Sequence, residues 1–211
     1  MSHTIKEKCR KRKPKNPCKN CGLSDSYCIC NEFRKIELNT RVDLLIHYKE
    51  LKRTSNTGRL ISSLLVNQGV HIRGQKETQL DHKKILNPDY TPVLLFPSED
   101  ATLASTESLK TLSKGLPLQL LVPDGNWRQA SKVHYRVKEL KHIPRVTLAG
   151  GEADRTQLLR NESKQNGMST LEAVANLIGL IEGLKAKKHL LDAYKLKKHT
   201  QLKLRGVKNE L

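Results

Sequence analysis

The sequence predicts an α/β protein: a mostly parallel sheet with helices on both faces, joined to a small N-terminal four-cysteine knuckle. Three observations carry this. Several short stretches are continuously apolar, as strands buried on both faces are. Between them lie segments with helical apolar stripes and helix caps, and strands that alternate with helices form parallel sheets. Four cysteines, at 18, 21, 28 and 30, fall close together near the N-terminus.

Taken in order, residues 1–16 form a basic flexible arm. Lys6-Glu-Lys-Cys-Arg-Lys-Arg-Lys-Pro-Lys15 is dense in positive charge and has no apolar periodicity. The knuckle spans 17–34. Its C-x2-C-x6-C-x-C spacing suits four thiolates around one tetrahedral zinc ion, with Asn20 and Gly22 easing the turn. Basic neighbours Lys15, Lys19 and Arg34 favour the thiolate form. Disulfides fit poorly with a chain that shows no sign of an oxidising compartment, and an iron–sulfur cluster stays open as an alternative. Cys9 lies outside the spacing and is expected to be free.

The main domain spans 35–183. Arg41–His47 reads as a strand. Residues 57–67 carry Leu60, Ile61, Leu64 and Leu65 at helical spacing, and Gly69 follows as a C-cap. Residues 92–96, 118–122 and 144–148 read as buried strands. Asn126 caps a helix running to about residue 141. Ser169-Thr-Leu-Glu172 has capping-box order and opens a helix to about residue 183. Residues 184–211 form a basic C-terminal helix and tail, with Leu184, Leu190, Leu191, Tyr194 and Leu196 inward and a basic outer face.

The chain has 211 residues and 39 Lys/Arg against 21 Asp/Glu, a net charge of +18. Such a surface favours a polyanion, nucleic acid first. Aromatic residues make up only 4% of the chain, too few for a platform that stacks a run of bases. No apolar run reaches the length of a membrane span, and the N-terminus lacks the apolar core of a secretion signal, so the expectation is a soluble cytoplasmic protein.

Ligands of parallel α/β sheets gather beyond the carboxyl ends of the strands. Those loops here are 47–57, 97–100, 123–127 and 150–170. Pro123-Asp124-Gly125-Asn126-Trp127 stands out, with a carboxylate at a strand end, a helix N-terminus and the single Trp. Asp-Gly is also ordinary turn chemistry, and a lone Trp is ordinary core.

The wider pattern resembles the DTW-domain family of tRNA-uridine aminocarboxypropyltransferases. The family's Asp-x-Thr-Trp stands here as Asp124-Gly125-Asn126-Trp127, continuing Arg128-Gln129-Ala130. The four-cysteine knuckle matches. So do His47-Tyr48-Lys49-Glu50 with Asn56-Thr57-Gly58-Arg59-Leu60, the strand-end Phe96-Pro97-Ser98, and Arg160 followed by Ser169-Thr170-Leu171-Glu172-Ala173. Five short motifs in order cover nearly the whole chain. Asn126 replaces the usual Thr, Tyr48 a Pro, and Glu162 a Pro that often follows the arginine.

The resemblance implies transfer of the 3-amino-3-carboxypropyl group of S-adenosylmethionine to N3 of a tRNA uridine, releasing methylthioadenosine. It also implies a SPOUT-like knotted topology. Asp124 is then the expected base, with Asn126 and Trp127 beside it; burial would strengthen that base. Leu95, Phe96, Pro97, Leu121 and Val122 are expected around the adenine. Arg160 suits the methionine carboxylate, and Ser169, Thr170 and Glu172 suit the same ligand. His47, Glu50, Asn56, Thr57 and Arg59 are expected to shape the uridine pocket. Zinc on Cys18, Cys21, Cys28 and Cys30 is expected to be structural, tRNA the partner and the protein a monomer. Two alternatives compete: a SPOUT-like RNA methyltransferase, and a non-catalytic zinc-containing RNA-binding protein.

Overall fold

Six parallel strands make the sheet of the computed structural model, which describes residues 16–75, 80–149 and 168–206. The strands are β1 (Arg41–His47), β2 (Gln68–Arg73), β3 (Thr91–Leu95), β4 (Thr102–Leu103), β5 (Leu118–Asp124) and β6 (Arg145–Thr147). Their order is β2-β1-β5-β3-β6-β4, and every pairing is parallel. Residues 150–167, most of the last of the candidate loops, lie outside the described residues.

The continuous apolar runs have a simple cause. Side chains alternate across a strand, and here both faces are covered. Val42, Leu44 and Ile46 of β1 pack with Leu120 and Val122 against α1 (Ile61–Leu64), α3 (Thr106–Ser113), α5 (Thr170–Ile181) and α6 (Leu184–Leu204). On the opposite face, Leu45, Leu94 and Leu121 pack against α2 (His82–Ile85) and α4 (Trp127–Arg136). The knuckle joins the first of these cores through Cys21, Leu23 and Ile29. Phe33, near its end, meets His189 of α6 edge-on, with ring centroids 5.7 Å apart.

Several elements differ from the expectation. The helix expected over 57–67 is a 3-10 turn, Gly58–Leu60, followed by α1 alone. Leu65 turns extended, Val66 N donates to Ile36 O, and Val42 N to Asn67 O, so strand pairing takes the segment that helical periodicity had claimed. Gly69 is not a C-cap. It lies inside β2, opposite Asp43. The helix after Asn126 ends at Arg136, and a separate 3-10 turn, Lys138–Leu140, follows. The Ser169 capping box is present, with Glu172 N on Ser169 Oγ at 3.3 Å and Ser169 N on Glu172 Oε2 at 3.2 Å. α6 is not basic on its outer face alone, because Lys197 and Lys198 are both buried.

Candidate active site

β1 and β5 are neighbours, with Ile46 opposite Asp124. After β1 the chain moves to β2 on one side. After β5 it moves past β3 to β6 on the other. Two adjacent strands whose connections leave in opposite directions open a crevice at their carboxyl ends. Asp124 ends β5 at that crevice, 3% exposed.

Two segments converge on its carboxylate. Asn56, from the loop after β1, donates its side-chain amide to Oδ2. Thr170, the first residue of α5, donates its hydroxyl to Oδ1 at 2.5 Å. Between them runs Gly58, where an added Cβ would lie 3.1 Å from Thr170 Cγ2 and 3.3 Å from Asp124 Cγ. The absence of a side chain at 58 is what lets the loop and α5 close over the acid.

The same loop is fixed from other sides. Thr57 Oγ1 accepts from Leu171 N at 3.3 Å, and Arg59 N donates to Asn56 Oδ1 at 3.0 Å. With Oδ1 so engaged, Asn56 must present its amide nitrogen to Asp124. Arg59 itself is bound to the knuckle, donating to the carbonyls of Lys19 (2.8 Å) and Cys18 (2.9 Å), and to Leu51 O at 2.9 Å. Burial lowers its pKa, opposed by the thiolates of Cys18, Cys21 and Cys30.

Asn126 is the cap of α4. Its side chain accepts from Gln129 N, and its own N–H donates to Gln129 Oε1, both at 2.9 Å. Trp127 stands 45% exposed beside the crevice, its ring 5.1 Å from that of buried Phe96 and tilted by 32°. That pair offers a flat apolar surface at the strand ends. Leu121 and Val122 are inside the two cores, Leu95 is half-buried and Pro97 exposed. His47 stacks on Tyr48 and accepts from Lys49 N at 3.3 Å. Burial, then the cations Arg73 and Lys49, lower its pKa against the pull of Glu50. Glu50 is buried and pairs with Arg53 at 3.2 Å. Arg160 lies outside the described residues.

Two cations near Asp124 were missed from sequence. Arg73, at the end of β2, donates to Leu45 O (3.1 Å) and Gln129 O (2.8 Å). Burial lowers it to about 10, against the attraction of Asp124. Lys197 of α6 is fully buried and donates to the carbonyl of Asn56. A signal for Lys197 existed. It occupies the apolar stripe of its helix, three and four residues after Tyr194 and Ala193.

The four cysteines of the knuckle meet. Their Sγ atoms all lie within 4.8 Å of one another, with Cys18–Cys30 and Cys21–Cys28 at 3.7 Å. A tetrahedron of sulfurs around an ion at about 2.3 Å has edges of about 3.8 Å, so the spacing fits a single metal ion. Hydrogen bonds from the Cys21 and Asn20 backbone outweigh burial and lower Cys18 to about 6. Burial, then the crowding of Cys21 and Cys18, raises Cys30. A central cation removes that crowding penalty.

Comparison with known proteins places this geometry. No solved structure matches the chain. A macaque (Macaca fascicularis) protein named tRNA-uridine aminocarboxypropyltransferase 2 is 22% identical over 178 residues. The match takes in 82% of this chain but only 58% of that relative. The DTW domain model matches residues 15–202, from the edge of the knuckle to the last turns of α6. The chain belongs to the DTW domain family.

Proposed function

We propose that this protein transfers the 3-amino-3-carboxypropyl group of S-adenosylmethionine to N3 of a uridine in tRNA, giving the acp-modified uridine and methylthioadenosine. The observation that carries it is the carboxylate of Asp124, buried at the strand-end crevice between Asn56 and Thr170, in the DTW motif of a DTW-family chain. The name of the macaque relative supports the reaction class.

S-adenosylmethionine, when bound, supplies an electrophilic γ-methylene beside a sulfonium leaving group. Uridine N3 forms the new bond to that carbon as the carbon–sulfur bond breaks, and the pair returns to sulfur. The N3 proton goes to Asp124. Asn56 and Thr170 hold the carboxylate in one orientation at the crevice. Attack on the methylene rather than the methyl depends on position alone, and placing reacting groups is the function of such a fixed frame. The exposed face of Trp127, backed by Phe96, suits a flat base. Arg160, Glu172, Ser169 and Leu95 with Pro97 are assigned to the co-substrate, and His47, Glu50 and Thr57 to the uridine pocket. The family pattern supports a SPOUT-like knotted topology. The cysteine spacing supports one structural zinc ion. The protein acts in the cytoplasm as a monomer. No helix among the described residues is long and apolar enough to cross a membrane.

Incubation with labelled S-adenosylmethionine and tRNA, followed by nucleoside mass spectrometry, tests the reading. The acp mass increment with methylthioadenosine is expected. S-adenosylhomocysteine with a methylated nucleoside would replace it with the methyltransferase reading. RNA binding with neither product would favour a non-catalytic role.

A further inference from the structure

α6 reaches the crevice on its own account. Its inward stripe contains Leu190, Ala193, Tyr194, Lys197, Gln201 and Leu202. Two of these are polar and one turn apart, and both grip the loop that carries Asn56. The ammonium of Lys197 donates to the main-chain carbonyl of Asn56. The Gln201 amide donates to Thr54 Oγ1 at 3.2 Å. Asn56 has its Oδ1 on Arg59 N and its Nδ2 on Asp124, so a shift of the loop moves the donor on the acid.

We infer that Lys197 is a positioning residue for the reaction, holding Asn56 so that Asn56 fixes the carboxylate of Asp124. The assignment rests on Asp124 being the base of the proposed reaction. A buried ammonium is an expensive way to fix a loop. Burial lowers its pKa to about 7, against the pull of Cys21 and with the repulsion of Arg59, while Asp124 and Cys30 favour the charged form. An apolar residue of like length would suit this stripe better, so the lysine is explained by what it holds and not by packing.

The test is steady-state turnover of the full chain on S-adenosylmethionine and a tRNA transcript. Lys197→Met is expected to lower kcat about tenfold or more with KM values changed by less than about twofold. Its melting temperature should be equal or higher. Lys197→Arg, which keeps a charged donor, should regain most of the loss. If Lys197 acts through Asn56, Lys197→Met should change kcat by less than about twofold in an Asn56→Ala background. Wild-type kcat in Lys197→Met, or a full second loss in the Asn56→Ala background, overturns the assignment. Should Lys197→Met fail to fold, Lys197→Gln, an uncharged donor, takes its place in the same cycle. A wild-type protein that makes no acp-uridine overturns the reaction instead. The side-chain amide resonance of Asn56 then decides the positioning role: a shift in the Lys197 variant supports it, and an unmoved resonance overturns it.

Discussion

In the proposed reaction, Asp124 is the residue on which the chemistry turns. Asp124→Asn keeps the shape, with its oxygen accepting from Asn56 and its amide donating to the Thr170 hydroxyl, but it cannot take a proton. It should cut kcat by about a hundredfold to ten-thousandfold, the usual worth of a general base, with tRNA affinity unchanged in a filter-binding assay. A second buried acid has a different task. Asp43 of β1 accepts from Gln119 (2.6 Å), His71 and Arg41 (both 2.7 Å), near the opposite ends of β1 and β5. Burial raises its pKa, but the bonds from His71, Arg41 and Gln119 outweigh it and hold it below the ordinary carboxylate value. Its folded value is depressed, so its stabilisation is complete above the unfolded value and is lost as pH falls through the folded one. Asp43→Asn should cost about 3 kcal/mol near neutrality and flatten the acid limb of stability, read from urea midpoints across a pH series. Asp124 stood out in the sequence through the ordered motifs around it, because an Asp-Gly at a strand end is by itself also ordinary turn chemistry. Arg73 was not legible as a site residue, since cations in a basic chain look like surface, and the apolar stripe that marks Lys197 as inward says nothing of what it holds. Their placement is set by contacts with residues far away in sequence.

At the scale of elements, the loop after β1 and the first turn of α5 must approach closely, and Gly58 is the gap that allows it. An Ala there has no conformational penalty to meet but would press on Leu44 Cδ1 and Thr170 Cγ2, each 3.1 Å away. Gly58→Ala should therefore lower kcat about tenfold or more by parting Thr170 from Asp124, while thermal melting shows only a modest loss of stability. Ser169→Ala removes the cap of α5 and should cost about 1 kcal/mol in denaturant unfolding. β1, β3, β5 and the starts of α4 and α5 were readable, because buried strands are continuously apolar and capping boxes are local. β2 was not. It is the edge of the sheet, and its pattern is inverted: Val70 and Ile72 are exposed, whereas His71 and Arg73 turn inward to Asp43, Leu45 and Gln129. A polar-in strand preceded by Asn67 and containing Gly69 reads as the end of a helix.

For the whole molecule, the fold class was legible because alternation of strand and helix is a long-range pattern that few topologies satisfy. The burial of the knuckle was not, since nothing in its spacing says that Cys21, Leu23 and Ile29 complete the core of the body. Metal removal should thus act on everything at once. A chelator is expected to lower the melting temperature of the entire domain in a single transition, and elemental analysis should return about one ion per chain. The charge acts separately. Lys195 and Lys203 are exposed on α6, and replacing both with Gln should weaken tRNA binding. The slope of log affinity against log salt should fall by about one for every phosphate that is no longer neutralised.

The bond between Lys197 and Asn56 spans 141 residues, and that between Glu182 and Thr40 spans 142. Such contacts require very long loops to close before they return any stabilisation. The segment that bears Asn56 leaves the ribosome long before the helix that anchors it. The crevice is therefore among the last parts of the protein to acquire its final form. Refolding monitored by near-ultraviolet circular dichroism should outpace the return of turnover, and the lag between them measures how late α6 docks.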